Sequence, residues 1–440
     1  MGALWLVYDL AQQLGIVRAL GATRAGHLAL WQVIARVIDQ GSRLSAVRLA
    51  GMHAVCDVLG LETCNEEDLY ENLDWLCAQQ ATIEDRLVKH RLQGRSPGLF
   101  LYDVTSSYWE GEKNALAALG YNRDGKKGKR QIVIGLFCDE EGNPCSIEVF
   151  PGNTHDPQTV VAQIHKVTER FGGGQVVFVG DRGMLKRPQM DALVQQGLHY
   201  ITAITKPQIE RLLKNAVLSI GLFEEAVTEV ITGEGMRYIV RRNPIRAQEV
   251  QQSREDKYQT LRKAVEKHNQ YLTQHPRAKV DVALGILTAQ CTKLQLATWV
   301  AVAAEGRLLS LSLDRAAQRA VAKLDGCYGS TTDLTPAQMG KELIHERYKD
   351  LALVEWAFRS CKTTHLEMRP ISVHLEKRTR AHALVVMLAY HIIKELRARW
   401  QSLNITVEEG ITELSHLCST EVHSQGQRPY HAIPAPRAGL

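Results

Sequence analysis

The sequence predicts a mixed α/β protein with three parts: a helical N-terminal segment, a sheet-and-helix core, and a β-rich insertion that splits the core. Three observations carry this expectation. Before residue 95, apolar side chains recur at three-to-four spacing; between 98 and 205, short β-branched runs take over; after 335 helical spacing returns. At 440 residues, 45% hydrophobic and 23% charged, the chain suits a globular protein of about two to four domains.

Residues 1–95 form the first expected domain, a helical one. LALWQVIARVID (28–39), VRLAGMHAVCDVLG (47–60) and EEDLYENLDWLCAQQ (66–80) have amphipathic spacing, with Asn65 suited to cap the last. GRSPG (94–98) then breaks the pattern.

The first part of the core is expected over 98–205. LFLYDVT (99–105), QIVIGLFCD (131–139) and CSIEVF (145–150) read as strands, the last two joined by the turn EEGNP (140–144). GNTHDPQTVVAQIHKVTERFGGG (152–174) reads as a helix with Asp156 at the N-cap, Pro157 at the first turn, and a stripe of Val160, Val161, Ile164, Val167 and Phe171. The strand VVFVGD (176–181), a helix around 187–196 ended by Gly197, and the strand HYITAIT (199–205) follow. Three antiparallel-type strands, then helix, strand, helix, strand, is the order of a ribonuclease H-like mixed sheet.

Residues 206–334 read as a folded, β-rich insertion. AVTEVITGEGMRYIVRR (226–242) alternates around a glycine turn, 255–272 looks helical, and 308–314 and 327–333 look like strands. Residues 335–402 return to helix, opened by Thr335 and Pro336 as N-cap and first residue, with a second helix over 376–400. In 403–440, SQGQRPYHAIPAPRAGL is rich in Pro and Gly and predicts a poorly ordered tail.

Composition excludes some classes. No stretch approaches the ~20 apolar residues that span a bilayer, and the N-terminus lacks a signal-peptide cleavage pattern. The nine cysteines are scattered without a C-x-x-C pair, so reduced thiols and a cytoplasmic setting with no membrane partner are expected. Net charge is only +5, yet RDGKKGKR (123–130) gathers Arg123, Lys126, Lys127, Lys129 and Arg130 around the single acid Asp124. Such a run is either a solvated hairpin loop or a contact for nucleic-acid phosphates.

Three acids stand where phosphoryl-transfer chemistry would want them. Asp103 and Asp181 each close a predicted strand, and Glu355 lies in the helical segment YKDLALVEWAFRSCK (348–362). Carboxylates are hard oxygen ligands, and two Mg²⁺ ions about 4 Å apart can activate a nucleophile and neutralise the leaving oxygen. Each aspartate alone reads equally as a turn or cap residue. Tyr348, Glu355 and Lys362 recur every seven residues, nearly one helix face, together with Leu351 and Phe358. A charged pair on a face expected to be buried needs partners, which metal and phosphate would provide. Thr105, Ser106 and Ser107 read as turn formers rather than nucleophiles, and His155 as a loop cap rather than a metal ligand. A phosphomonoesterase would want a second aspartate where Thr105 stands.

With these residues in view, the chain resembles the DDE-type transposases of bacterial insertion sequences, in the subgroup whose core carries a β insertion. That subgroup has a signature helix of Tyr, two residues, Arg, three residues, Glu, six residues, Lys. Tyr348, Glu355 and Lys362 match it, whereas the Arg position holds Leu351. DVTSSYWEG (103–111), FPGNTHDPQT (150–159), VFVGDRGM (177–184) and DGCYGSTTDLTP (325–336) resemble the blocks around the family's acids. The resemblance implies that Asp103, Asp181 and Glu355 are catalytic and bind two Mg²⁺ ions, with Mn²⁺ able to substitute. It implies that Tyr348, Lys362, Arg182 and the 123–130 cations contact DNA. The expected reaction is cleavage at terminal inverted repeats and strand transfer into target DNA, by a homodimer or larger synaptic complex. The N-terminal helices are the expected place for DNA-end recognition. The alternative is a catalytically inactive DNA-binding remnant.

Overall fold

The structure, a computed structural model, describes residues 2–432 apart from 96, 112, 172–175, 234, 369–370, 419 and 423–429. It divides into two compact units, Met1–Thr202 with Arg347–Leu440, and Ala203–Glu346.

In the first unit the N-terminal segment is helical as predicted: α1 (Gly2–Gln13), α2 (Ile16–Leu20), α3 (Arg24–Ile38), α4 (Arg43–Met52), α5 (Val55–Leu59) and α6 (Glu66–Leu92). The stretch 47–60 is split between α4 and α5, because His53 adopts an extended backbone with φ −114° and ψ 159°. Asn65 caps α6 in a reciprocal box. Its side chain accepts from the Asp68 N–H at 2.9 Å, and Asp68 accepts from the Asn65 N–H at 2.9 Å, an arrangement that stabilises a helix by about 1 kcal/mol.

The sheet of this unit has the order β3-β2-β1-β4-β5, from β1 (Leu99–Tyr108), β2 (Gln131–Asp139), β3 (Pro144–Pro151), β4 (Val177–Gly180) and β5 (His199–Ala203). β2 runs antiparallel to β1 and β3, while β1, β4 and β5 are parallel. This is a ribonuclease H-like sheet. Phe100, Tyr102, Phe137, Phe171 and Phe178 fill one core beside it with ring centroids 4.4–6.2 Å apart.

Between β3 and β4 lies α7 (Asp156–Glu169), and between β4 and β5 lies α8 (Arg187–Gln195). α7 starts one residue earlier than expected: His155 is the N-cap, and its N–H donates to Gln158 Oε1 at 3.3 Å. Of the predicted stripe, Val160, Ile164 and Phe171 are buried and Val161 is exposed. The Val167 side chain and the glycines from 172 fall outside the described residues.

The second unit holds α9 (Lys206–Lys214), the hairpin β6 (Thr228–Ile231) and β7 (Arg237–Arg242), α10 (Pro244–Gln274), α11 (Val280–Lys293), the hairpin β8 (Val300–Glu305) and β9 (Leu308–Leu313), α12 (Arg315–Ala322) and β10 (Cys327–Thr332). β10 pairs with β7, which pairs with β6. The five strands include those expected. α10 is longer than the sequence pattern suggested, and α11 has no counterpart in it. Leu261, Val265, Leu287, Trp299 and Leu309 join α10, α11 and the β8–β9 hairpin in a core of their own.

The chain then passes through α13 (Lys341–Lys349) and α14 (Leu351–Arg359) to α15 (Glu376–Trp400) and α16 (Val407–Ser415). α15 is buried on nearly every side, as its AHALVVMLAYHII run demands, against α3, α6 and β3. One long helix opened by Thr335 and Pro336 was expected. Instead Thr335 closes a turn, its N–H and Oγ1 donating to Gln338 Oε1 at 2.9 and 2.8 Å. α13 begins at Lys341, and the Asp350 N–H bonds back only three residues to Arg347 O (3.2 Å), which separates α13 from α14. A wider π-helical turn, 360–364, follows α14. α16 occupies part of the expected tail, with Val407, Ile411 and Leu414 buried. The Pro/Gly-rich segment 424–440 lies outside the described residues except for 430–432. None of the described helices is long and apolar enough to cross a membrane.

Candidate active site

Asp103 is not at a strand end. β1 runs on to Tyr108, because Thr105, Ser106 and Ser107 pair with Ile134, Val133 and Ile132 of β2 rather than forming a turn. What ends at Tyr102 is the pairing of β1 with β4, whose register runs from Leu99–Val177 to Tyr102–Gly180. One step further come Asp103 and Asp181, so the two aspartates stand side by side where the parallel strands part. α14, carrying Glu355, packs across β1 and β2.

The Asp103 carboxyl lies within the field of the other two acids. Burial pushes the Asp103 carboxyl up to about 7, opposed by the Val104 N–H and reinforced by the charges of Asp181 and Glu355. Its Oδ1 accepts that N–H at 2.7 Å. Tyr348 donates its hydroxyl to Asp181 Oδ1 at 3.4 Å, and burial together with Asp181 raises the phenol well above its ordinary range. Glu355 and Arg182 are exposed. Among the described residues, no group of three or more His, Cys, Asp or Glu side chains is gathered closely enough to hold a metal ion.

Lys362 behaves differently from the expectation of a phosphate contact on the Glu355 face. The π turn takes it out of the seven-residue register. Its ammonium is buried, 2.6 Å from Asp124 Oδ1, 2.5 Å from Ser106 O and 3.2 Å from Thr105 Oγ1. Asp124, whose side chain is only 1% exposed, also accepts the Tyr108 N–H at 3.0 Å. The basic loop is thereby pinned to β1. A second pin is Arg123, whose N–H donates to Ser106 Oγ at 2.8 Å and whose guanidinium pairs with Asp156 at 2.7 Å. Lys126 lies over the Tyr108 ring, Lys129 pairs with Glu110 at 3.4 Å, and Lys126, Lys127, Lys129 and Arg130 are exposed.

The structure therefore brings Asp103, Asp181, Glu355 and Tyr348 into one neighbourhood and sets Lys362 beneath the basic loop. Asp124 and Asp156 are the partners that sequence reasoning passed over. A lone acid within a run of five cations was the available signal for Asp124. Leu351, at the signature's arginine position, is buried at the start of α14.

Comparison with known proteins identifies the family. Residues 94–392 match the family model of the transposase DDE domain. Among solved structures, the chain is similar to piggyBac transposase in a cryo-EM synaptic complex with hairpin DNA. Identity there is 10%, the match covers 88% of this chain and 69% of that one, and the TM-score is 0.43. No curated protein matches the chain. The family match takes in Asp103 on β1, Asp181 just after β4 and Glu355 on α14, and the chain belongs to the transposase DDE domain family.

Proposed function

We propose that this transposase-family chain cuts one DNA strand at each end of a mobile element and joins the freed 3′-hydroxyl to target DNA, with Asp103, Asp181 and Glu355 as its catalytic acids. The observation that carries this reading is the parallel register that sets Asp103 beside Asp181, where burial first, and then the charges of Asp181 and Glu355, raise the Asp103 carboxyl. A buried carboxyl raised further by two neighbouring acids calls for a cation, and hard carboxylate oxygens suit Mg²⁺ or Mn²⁺. When bound, the metal supplies water activation and charge neutralisation in the in-line displacement. The chain's own residues do the rest. Val104 holds one oxygen of Asp103, Tyr348 orients Asp181, and the exposed cations of the 126–130 loop attract DNA phosphates. Arg182, exposed beside Asp181, adds to that attraction. Lys362 acts from beneath, by fixing the loop. A second copy of the chain is the protein partner, each copy holding one element end. The chain divides by function into 1–95, which recognises the DNA ends, 98–205 and 335–402, which build the catalytic core, the insertion 206–334 and the tail 403–440.

Purified protein is tested on a supercoiled plasmid bearing the element's inverted repeats, with Mg²⁺ or Mn²⁺. The parent nicks the ends, while Asp103→Asn, Asp181→Asn and Glu355→Gln retain DNA binding and lose nicking. Undiminished nicking in any of the three rejects the assignment. Leu351 and the burial of Lys362 favour a second reading, a DNA-binding remnant without turnover; its signature is a gel shift on the inverted repeats with no cleavage by the parent in either metal.

A further inference from the structure

Away from the catalytic acids, in the N-terminal helices, two buried arginines make no ion pair among the described residues. Arg36 on α3 and Arg43 at the start of α4 are 7% and 8% exposed, and both line a cavity of about 560 Å³ together with Ser42, Tyr70, Arg378, His382 and two exposed carboxylates, Glu67 and Glu367. Arg43 donates Nε to Gln32 Oε1 at 3.1 Å and Nη2 to His382 Nδ1 at 3.1 Å, while Arg36 Nη1 donates to Gln40 O at 2.5 Å. All three acceptors are neutral. Asp39 and Glu367 are near enough to favour the charge on Arg36, yet neither forms an ion pair with it among the described residues. Arg378 is already balanced by Asp74, at 3.1 Å through both Nε and Nη2.

Burial and the neighbouring Arg36 push Arg43 down to about 9. A guanidinium does not give up its proton at neutral pH, so the cost is carried as unpaired buried charge. Buried charges in proteins are paired or ligated. A stable fold does not gain by keeping two like charges together unless something neutralises them. The cavity is several times larger than one water needs, and Tyr70 and Ser42 add hydroxyl groups to its lining.

We infer that this cavity is an oxyanion site that takes a phosphate group between Arg36 and Arg43. Guanidinium forks match the geometry of phosphate oxygens. The phosphate can belong to a DNA backbone or to a small free phosphate compound, since the recognising chemistry is shared. The site is separate from the carboxylates and stands whether or not those acids are catalytic.

The test uses the full chain in chloride buffer and follows thermal unfolding as inorganic phosphate replaces chloride at constant ionic strength. Phosphate at saturation raises the parent's Tm by about 2 °C or more. Arg43→Met loses that rise, and in chloride alone it is as stable as the parent or more so, because an uncompensated buried charge is gone. Arg36→Met serves as the second variant should Arg43→Met fail to fold, and it loses the rise likewise. A second arm adds a short DNA duplex. If the duplex displaces phosphate, and the variant's salt dependence of DNA binding falls by about one ion, the source is the DNA backbone; if neither happens while the phosphate response persists, the site takes a free phosphate compound. A parent Tm indifferent to phosphate, or an equal response in both variants, overturns the inference.

Discussion

Replacing Asp124 with asparagine separates two accounts of the basic loop by sign. Asparagine keeps an oxygen for the Tyr108 N–H, so the change removes charge and little else. Counting charges, the chain goes from +5 to +6 and should hold DNA more tightly. The structure argues the reverse. Asp124 and Lys362 form a nearly dry pair at 2.6 Å with side chains 1% and 10% exposed. Breaking such a pair from one side costs about 3 kcal/mol, a factor of roughly 150 in the balance between docked and undocked loop. Lys362 keeps Ser106 O and Thr105 Oγ1, which soften the loss without cancelling a positive charge. The loop should leave β1 for part of the time, exposing its five basic residues to trypsin and scattering cations that were fixed. Limited trypsinolysis of the folded protein and DNA titration over a salt series read these two effects. Faster cleavage within 123–130 and weaker DNA binding are expected. Tighter binding with unchanged cleavage would show that net charge, not loop docking, governs the contact.

Two further outcomes follow from buried groups elsewhere in the fold. His382 and His391 are held neutral, first by burial and then by Arg43 and Arg91, so both rings titrate well below the usual 6.5 when folded. The unfolded chain then binds more protons; stability is full above pH ~6.5 and is lost as pH falls below it, by at most about 1.2 kcal/mol per ring between pH 7 and 5.5. Urea midpoints across that range check the slope, and a flat profile would contradict it. Gly152→Ala should cost more than about 2 kcal/mol, because a Cβ there would meet Gln131 O at 1.9 Å and Ala118 O at 2.7 Å, both backbone atoms. It should also slow any DNA cleavage, since residues 118–123 lead into the basic loop. A thermal midpoint unchanged from the parent would remove that argument.

Much of the core was legible because its residues obey one period at a time. QIVIGLFCD became β2 residue for residue, and the Asn65 cap fell where the rule puts it. The reading failed where local chemistry and tertiary pairing disagree. Thr105, Ser106 and Ser107 have the composition of a turn, yet the apolar partners Ile134, Val133 and Ile132 carry them on as strand. α11 has no side-chain cap at Lys279 and mixes β-branched and small residues, so nothing in its sequence announces a helix. Lys362 was placed by extrapolating a regular helix, and a single π turn is enough to send it inward. Its pairing with Asp124, 238 positions away (362 − 124), is a long-range fact that spacing cannot encode. The side-by-side placement of Asp103 and Asp181 was available only in outline; it needed the parallel register of β1 and β4 to become specific.

The proposed function requires Asp103, Asp181 and Glu355 to close on one divalent metal, although among the described residues no three such side chains are gathered closely enough to hold one without it. The most direct measurement is Mn²⁺ binding followed by electron paramagnetic resonance, with the full chain and with Asp103→Asn, Asp181→Asn and Glu355→Gln. The account predicts that the parent binds Mn²⁺, that Mg²⁺ competes for it, and that each variant binds less. Mn²⁺ occupancy unchanged in all three variants would contradict it.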